Sequence, residues 1–165
     1  LCLKLGISAD DIKRGLLAFG GTHRRFEYKG RRNGITVIDD YAHHPTEVEA
    51  TLSAAKNYPH GRLVVAFQPH TYSRTNAFYK DFARVLSAAD LIVLSDIYAA
   101  REKNTFGITS EVILDELKKL DCKAYYFSSF EEIEKFLNEN CINNDLLITM
   151  GAGDIYQVGE YLLNE

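Results

Sequence analysis

The sequence predicts an α/β protein built on a doubly wound, mainly parallel sheet, preceded by a short N-terminal hairpin. Three observations predict it. From residue 36 onward, strand-like and helix-like segments alternate. The strand-like ones are short and continuously apolar, as expected where helices cover both faces of a sheet. Each is followed by a polar or Gly-rich turn. Alternation of this kind implies right-handed crossovers between parallel neighbours.

The elements follow in order. Ser8 with Asp11 three positions later reads as a capping box. Ile12, Leu16, Leu17 and Phe19 continue at helical spacing, and Gly20-Gly21 stops the helix. Two extended runs, 24–29 and 35–39, flank the turn Arg32-Asn33-Gly34, a hairpin signal. The second run supplies the strand at 36–39, and further strands are expected at 63–67, 91–95, 124–127 and 146–150. Helices are expected at 45–56, 76–88, 110–120, 130–140 and 155–163. The sequence shows no internal repeat and no low-complexity tract.

Composition narrows the function classes. The chain has 165 residues, of which 46% are hydrophobic and 25% charged, the balance of one soluble globular domain. It shows neither an apolar run of about 20 residues nor a basic-then-apolar leader, so neither membrane insertion nor secretion is expected. Cys2, Cys122 and Cys141 lie far apart and read as reduced core thiols of a cytoplasmic protein. The net charge is −4, which argues against a nucleic-acid partner. Yet residues 22–32 hold Arg24, Arg25, Lys29, Arg31 and Arg32 against Glu27 alone. A local basic cluster on an acidic domain suits a small anionic ligand, unless it is only a solvated hairpin. The chain begins at Leu1 with an apolar stretch already running, and is expected to be a piece of a longer protein.

Rossmann-like sheets bind ligands at the carboxyl ends of their strands. Here those ends carry DDYAHHP (39–45), QPHTYSRT (68–75), DIYAAREKN (96–104), SSF (128–130) and GAGD (151–154). The first places two carboxylates and two imidazoles before Pro45, which suits the first turn of a helix. A carboxylate there can accept from a ribose. Asp40, His43 and His70 also have the ligand types of a metal site, or the turn is purely structural. Arg74 can hold a carboxylate or phosphate in its fork, or lie in a helix-face ion pair. His70 lines the same pocket or packs in the core. GAGD is half of a GxGxxG, or a tight turn that needs glycine. No GxxxxGK[ST] phosphate loop occurs.

DDYAHHPTE (39–47) followed by QPHTYSRT (68–75) resembles the Mur ligases, in particular the branch that joins L-alanine to UDP-N-acetylmuramate. FGGTHRRFE (19–27), SDIYAARE (95–102) and GAGDI (151–155) match the same family, so the resemblance spans essentially the whole chain. It implies a three-domain, ATP- and Mg²⁺-dependent carboxylate–amine ligase of peptidoglycan synthesis. Residues 1–20 would be the tail of its central ATP-binding domain and residues 21–165 its C-terminal domain. The main groups for ATP and Mg²⁺ would lie in the missing N-terminal and central domains, and the isolated fragment would be inactive. Carried over by motif, Arg25 would contact an ATP phosphate and Asp40 the ribose. His43, His70, Arg74 and Tyr98 would form the L-alanine pocket. No covalent nucleophile and no metal ligand is implied here. Many members carry Arg after QPH where this chain has Thr71, which shifts carboxylate anchoring onto Arg74. Two alternatives stand beside this reading. One is a Mur-type ligase that recycles a whole tripeptide, whose second strand end is expected to lack QPH…SRT. The other is a non-catalytic nucleotide-binding module.

Overall fold

The computed structural model describes residues 1–164. A 3₁₀ turn (Cys2–Leu5) and helix α1 (Ala9–Ala18) lead into β1 (Glu27–Arg32) and β2 (Ile35–Asp40). Then come α2 (Pro45–Ala55), β3 (Leu63–Phe67), α3 (Tyr72–Leu86), β4 (Leu91–Leu94) and α4 (Glu111–Lys119). The rest is β5 (Ala124–Tyr126), α5 (Phe130–Asn140), β6 (Leu146–Met150) and α6 (Tyr156–Asn164).

The strands form one sheet in the order β1-β2-β6-β3-β4-β5. Only β1 is antiparallel to its neighbour; the other pairs are parallel. The expected doubly wound α/β fold is therefore found. Side chains alternate across the pleat, and this divides the core in two. Ile38, Val65, Phe67, Ile92, Leu94, Ile148 and Met150 face one way, against Val48 and Leu52 of α2, Phe82 and Leu86 of α3, and Ile113 and Leu117 of α4. Val37, Val64, Ala66, Val93 and Leu147 face the other way, against Ile133 and Leu137 of α5 and Val158 of α6. Each such apolar side chain contributes roughly 1.5–3 kcal/mol by leaving water, which is why the strand runs are apolar throughout. The edges are protected from pairing with other chains. One, β1, carries Lys29, Arg31 and Arg32, and the other, β5, is only three residues long.

Most element ends move by a residue or two, and three local features differ more. Helix α3 begins at Tyr72 because Thr71 caps it: its side chain accepts from Arg74 N and its carbonyl from the Thr75 hydroxyl. Residues 24–26 are not strand, because Arg24 (φ 54°) and Phe26 (φ 46°) turn the chain in the left-handed region. The expected box at α1 is half formed: Asp11 N donates to Ser8 Oγ, but the Ser8 hydroxyl donates back to the Asp11 carboxylate. None of residues 1–21 is buried, and Leu16, Leu17 and Phe19 stand exposed. Cys2 is exposed too, so it is not the core thiol the sequence suggested. Cys141 does behave as one, its thiol pushed up to about 12 by burial.

Candidate functional site

Parallel pairing brings the carboxyl ends of β2, β6, β3 and β4 side by side, with their loops on one edge of the sheet. The turn after β2 is built by its own polar groups. His44 is the N-cap of α2, its side chain accepting from Thr46 N, while Glu47 Oε2 accepts from the backbone N–H of His43 and His44. Pro45 follows at the first helical position. The two histidines thus part company. His44 caps the helix and packs edge-on against Phe78, with centroids 5.0 Å apart. His43 turns toward the neighbouring strand ends.

A row of rings crosses those ends. Tyr41 lies 5.4 Å from His43, His43 5.6 Å from His70, and His70 stacks on Tyr98 at 5.7 Å. The loop after β4 is bridged to the start of α3: Tyr98 N donates to Pro69 O (2.8 Å) and Thr71 N to Tyr98 O (2.9 Å). These bonds hold Thr71 at φ 66°, a conformation that costs a β-branched residue of order 1–3 kcal/mol. Glu102 fixes the same loop by accepting from Ser73 N (2.9 Å) and the Ser73 hydroxyl (2.6 Å).

Hydrogen-bond chemistry sets both ring tautomers. A guanidinium only donates, so His70 Nδ1 accepts from Arg74 Nη1 at 3.1 Å and, in the neutral ring, Nε2 keeps the proton. A carbonyl only accepts, so His43 Nδ1 donates to Tyr41 O at 2.9 Å and Nε2 carries the lone pair. Burial pulls His70 below its ordinary value of 6.5, helped by the charges of Arg74 and His43 and opposed by Glu102. A histidine depressed on folding binds its proton more readily in the unfolded chain. Its contribution to stability is complete above about pH 6.5 and lost as pH falls through the lower folded value. The urea midpoint is therefore expected to fall between pH 7 and 5.5, and by less in His70→Gln. An equal fall in both would remove His70 as the cause.

Arg24 and Arg25 differ sharply. Arg24 Nε donates to Asp39 Oδ2 (2.7 Å), Nη2 to Gly151 O (2.7 Å) and Nη1 to Gly153 O (3.0 Å), between the rings of Tyr41 and Tyr156. It welds the hairpin to the turn after β6. Arg25 is exposed, passes 5.6 Å over Tyr41, and makes no ion pair among the described residues. Asp40 is buried, one carboxylate oxygen accepting from Phe26 N and the other from Ala42 N (both 2.8 Å). Arg25, Asp40 and Glu47 line one shallow hollow.

The turn after β6 is a packed turn, and its glycines answer to space. A Cβ at Gly151 would lie 2.7 Å from Gln68 O. One at Gly153 would collide with Gln68 Oε1 and come within 2.7 Å of the Tyr98 ring. Gly153→Ala is expected to cost about 1–3 kcal/mol, lowering Tm by roughly 2–4 °C per kcal/mol. An unchanged melting curve would mean that Tyr98 moves aside freely.

Of the residues singled out from sequence, His43, His70, Arg74 and Tyr98 come together, while Arg25 and Asp40 flank a separate hollow behind Tyr41. The metal reading of Asp40, His43 and His70 finds no support: among the described residues no three His, Cys, Asp or Glu side chains are grouped to hold an ion. Sequence reasoning missed Tyr41, Glu47 and Glu102. Tyr41 and Glu102 lie in the strand-end segments 39–45 and 96–104 without a signal of their own, while Glu47 stands three residues after a possible N-cap.

The family model described as "Mur ligase, glutamate ligase domain" matches residues 24–153. The chain belongs to the Mur ligase family. Among curated Mur ligases it is 64% identical to the UDP-N-acetylmuramate–L-alanine ligase of Agathobacter rectalis, with all of this chain and 36% of that protein covered. It is 59% identical to the ligase of the same name from Lachnospira eligens, over 97% of this chain and 35% of that protein. The chain thus spans about a third of the length of the curated Mur ligases it matches. The solved UDP-N-acetylmuramate–alanine ligase of Thermotoga maritima superposes with a TM-score of 0.81 at 31% identity, over 99% of this chain and 34% of that one. A murein peptide ligase from Psychrobacter arcticus gives 0.70 at 26% identity, with the same two coverages.

Proposed function

We propose that this chain is the C-terminal domain of an ATP-dependent cytoplasmic enzyme that joins L-alanine to UDP-N-acetylmuramate in peptidoglycan synthesis. Within it, residues 1–20 belong with the preceding central domain and residues 21–165 form the closing domain. The exposed Leu16, Leu17 and Phe19 support that division. One observation carries the reading. Arg74 lacks a carboxylate partner among the described residues and stands beside two histidines with complementary open ring nitrogens. The guanidinium fork can take the carboxylate of an α-amino acid, and the open lone pair of His43 can accept from its ammonium group. The names of the 64% and 59% identical relatives favour L-alanine over a tripeptide, and an open guanidinium disfavours a purely structural module.

In the reaction, ATP phosphorylates the lactyl carboxylate of the sugar, and the alanine amine then displaces phosphate from the acyl phosphate. The first step needs neutralised phosphoryl charge and the second a held amine. Arg25, exposed and without an ion pair, contributes to the first. Asp40 keeps a second lone pair on each oxygen, to which ribose hydroxyls would donate. His43, His70, Arg74 and Tyr98 serve the second, and with Thr71 committed to capping α3 the carboxylate falls to Arg74. Among the described residues no His, Cys, Asp and Glu group is placed to hold a metal ion, and the Mg²⁺ accompanying ATP would be held in the preceding domains.

The test uses the full-length protein, with phosphate release measured in the presence of all three substrates. Release should depend on L-alanine, and the 165-residue chain alone should give none. Arg25→Ala should raise the KM for ATP roughly tenfold, the worth of one charge-assisted contact of about 1.4 kcal/mol. The KM for alanine should stay near the wild-type value. Turnover by the chain alone, or no alanine dependence in the whole protein, would overturn the reading.

A further inference from the structure

The two site histidines offer opposite chemistry, and the ring bonds show why. His70 Nδ1 is taken by a guanidinium N–H, so in the neutral ring its outer nitrogen donates. His43 Nδ1 is taken by the Tyr41 carbonyl, with the Glu47 carboxylate 3.3 Å away, so its outer nitrogen accepts. Neither Nε2 has a hydrogen-bond partner among the described residues. Glu47 itself is committed: burial raises its carboxyl, but the His43 and His44 N–H groups, the charge of Arg25 and that of His43 once protonated outweigh this and leave it below the ordinary value. A charged carboxylate is therefore in place to balance any positive charge that arrives on the His43 ring, the arrangement in which a carboxylate orients and supports a base.

An amino acid at neutral pH arrives as an ammonium, which has no lone pair with which to attack. We propose that His43 Nε2 takes the first proton from that ammonium, so that His43 is the general base of the amide-forming step and not merely a wall of the pocket. This rests on the ligase reading above. The freed nitrogen lone pair forms the C–N bond at the carbonyl carbon of the acyl phosphate. The C–O bond to phosphate breaks, and its electron pair leaves with phosphate. The nitrogen's second proton is lost as the tetrahedral adduct collapses and goes to the departing phosphate. His70 cannot take His43's place, because Arg74 occupies its Nδ1 and its Nε2 already bears hydrogen. The charged and titratable groups around His43 are Tyr41 and Glu47 on its own turn and helix, His70 and Arg74 at the start of α3, Tyr98 beyond His70, and Arg25 across Glu47.

The experiment compares two nucleophiles in the full-length enzyme and its His43→Gln variant. L-Alanine needs a base; hydroxylamine, unprotonated at neutral pH, traps the acyl phosphate as a hydroxamate without one. His43→Gln is expected to lower alanine turnover roughly 100- to 10,000-fold at pH 7 and to leave hydroxamate formation near the wild-type rate. The deficit should shrink by up to about tenfold per pH unit as the free amine fraction grows. Preserved hydroxamate formation also reports a folded, ATP-competent variant. Equal loss with both nucleophiles, or wild-type alanine turnover in the variant, would sink the proton-acceptor role alone. A wild-type enzyme that forms hydroxamate but no alanine product would sink the ligase reading together with it.

Discussion

Arg24→Ala is expected to lower the stability of the chain by about 3–5 kcal/mol, the usual cost of removing one partner from a buried ion pair. The Arg24 side chain is 12% exposed and that of Asp39 only 1%. Without the guanidinium, Asp39 keeps just the Thr149 hydroxyl (2.8 Å), and the carbonyls of Gly151 and Gly153 lose the donors that fix the turn after β6. Thermal or urea unfolding of the isolated chain measures this, and at roughly 2–4 °C per kcal/mol the melting point should drop by about 6–20 °C. Arg24→Lys should recover little, since an ammonium cannot reach three acceptors laid out for a planar fork. Arg25→Ala, one residue along, should change stability by no more than about 0.5 kcal/mol. Similar losses at the two arginines would contradict the division of labour described for them. Pairing Arg24→Ala with Asp39→Asn should cost less than the sum of the separate changes.

Arg74→Ala in the full-length protein is expected to raise the KM for L-alanine roughly 10- to 100-fold. A hydrogen bond to a charged group is worth about 1.5–3 kcal/mol, and each 1.4 kcal/mol is a factor of ten. The KM for ATP should move by no more than about threefold, the size of a packing adjustment near 0.6 kcal/mol. Arg74→Lys keeps the charge but loses the fork and the bond to His70 Nδ1, so it should fall between wild type and alanine variant. Initial-rate kinetics with each substrate varied in turn decide the matter. Equal increases for both substrates would mean that Arg74 supports the domain as a whole, not the amino acid.

Much of the architecture was legible because burial on both faces of a parallel sheet leaves an apolar run that periodicity cannot hide. The runs at 63–67 and 146–150 fall on β3 and β6 without adjustment. Sheet order was not legible, since nothing local in 146–150 says that it pairs between β2 and β3. The start of α3 was set four residues late because Pro69 and the polar residues after it read as loop, while the cap depends on Thr71 in a backbone conformation that side chains of its kind avoid. In the site, the cluster His43, His70, Arg74 and Tyr98 could be named from motif and strand-end position. What separates Arg24 from Arg25 could not, because it rests on carbonyls 127 and 129 residues further along. Likewise, the proton positions on the two rings follow from partners that only the fold supplies.

The place of β6 has a consequence for how the protein is made. A ribosome synthesises β1, β2 and their helix, then β3 to β5 with theirs, before the strand that stands between β2 and β3 exists. Until residues 146–150 emerge, both flanking strands present open backbone edges and uncovered apolar faces, the state in which a nascent chain aggregates or recruits a chaperone. The sheet is closed from its middle, by pairing across more than 80 residues on one side and about 110 on the other, a topology that slows folding. Truncated translation products or proteolytic fragments that stop short of β6 should therefore be cleared as unfolded protein, with no half-domain left to accumulate.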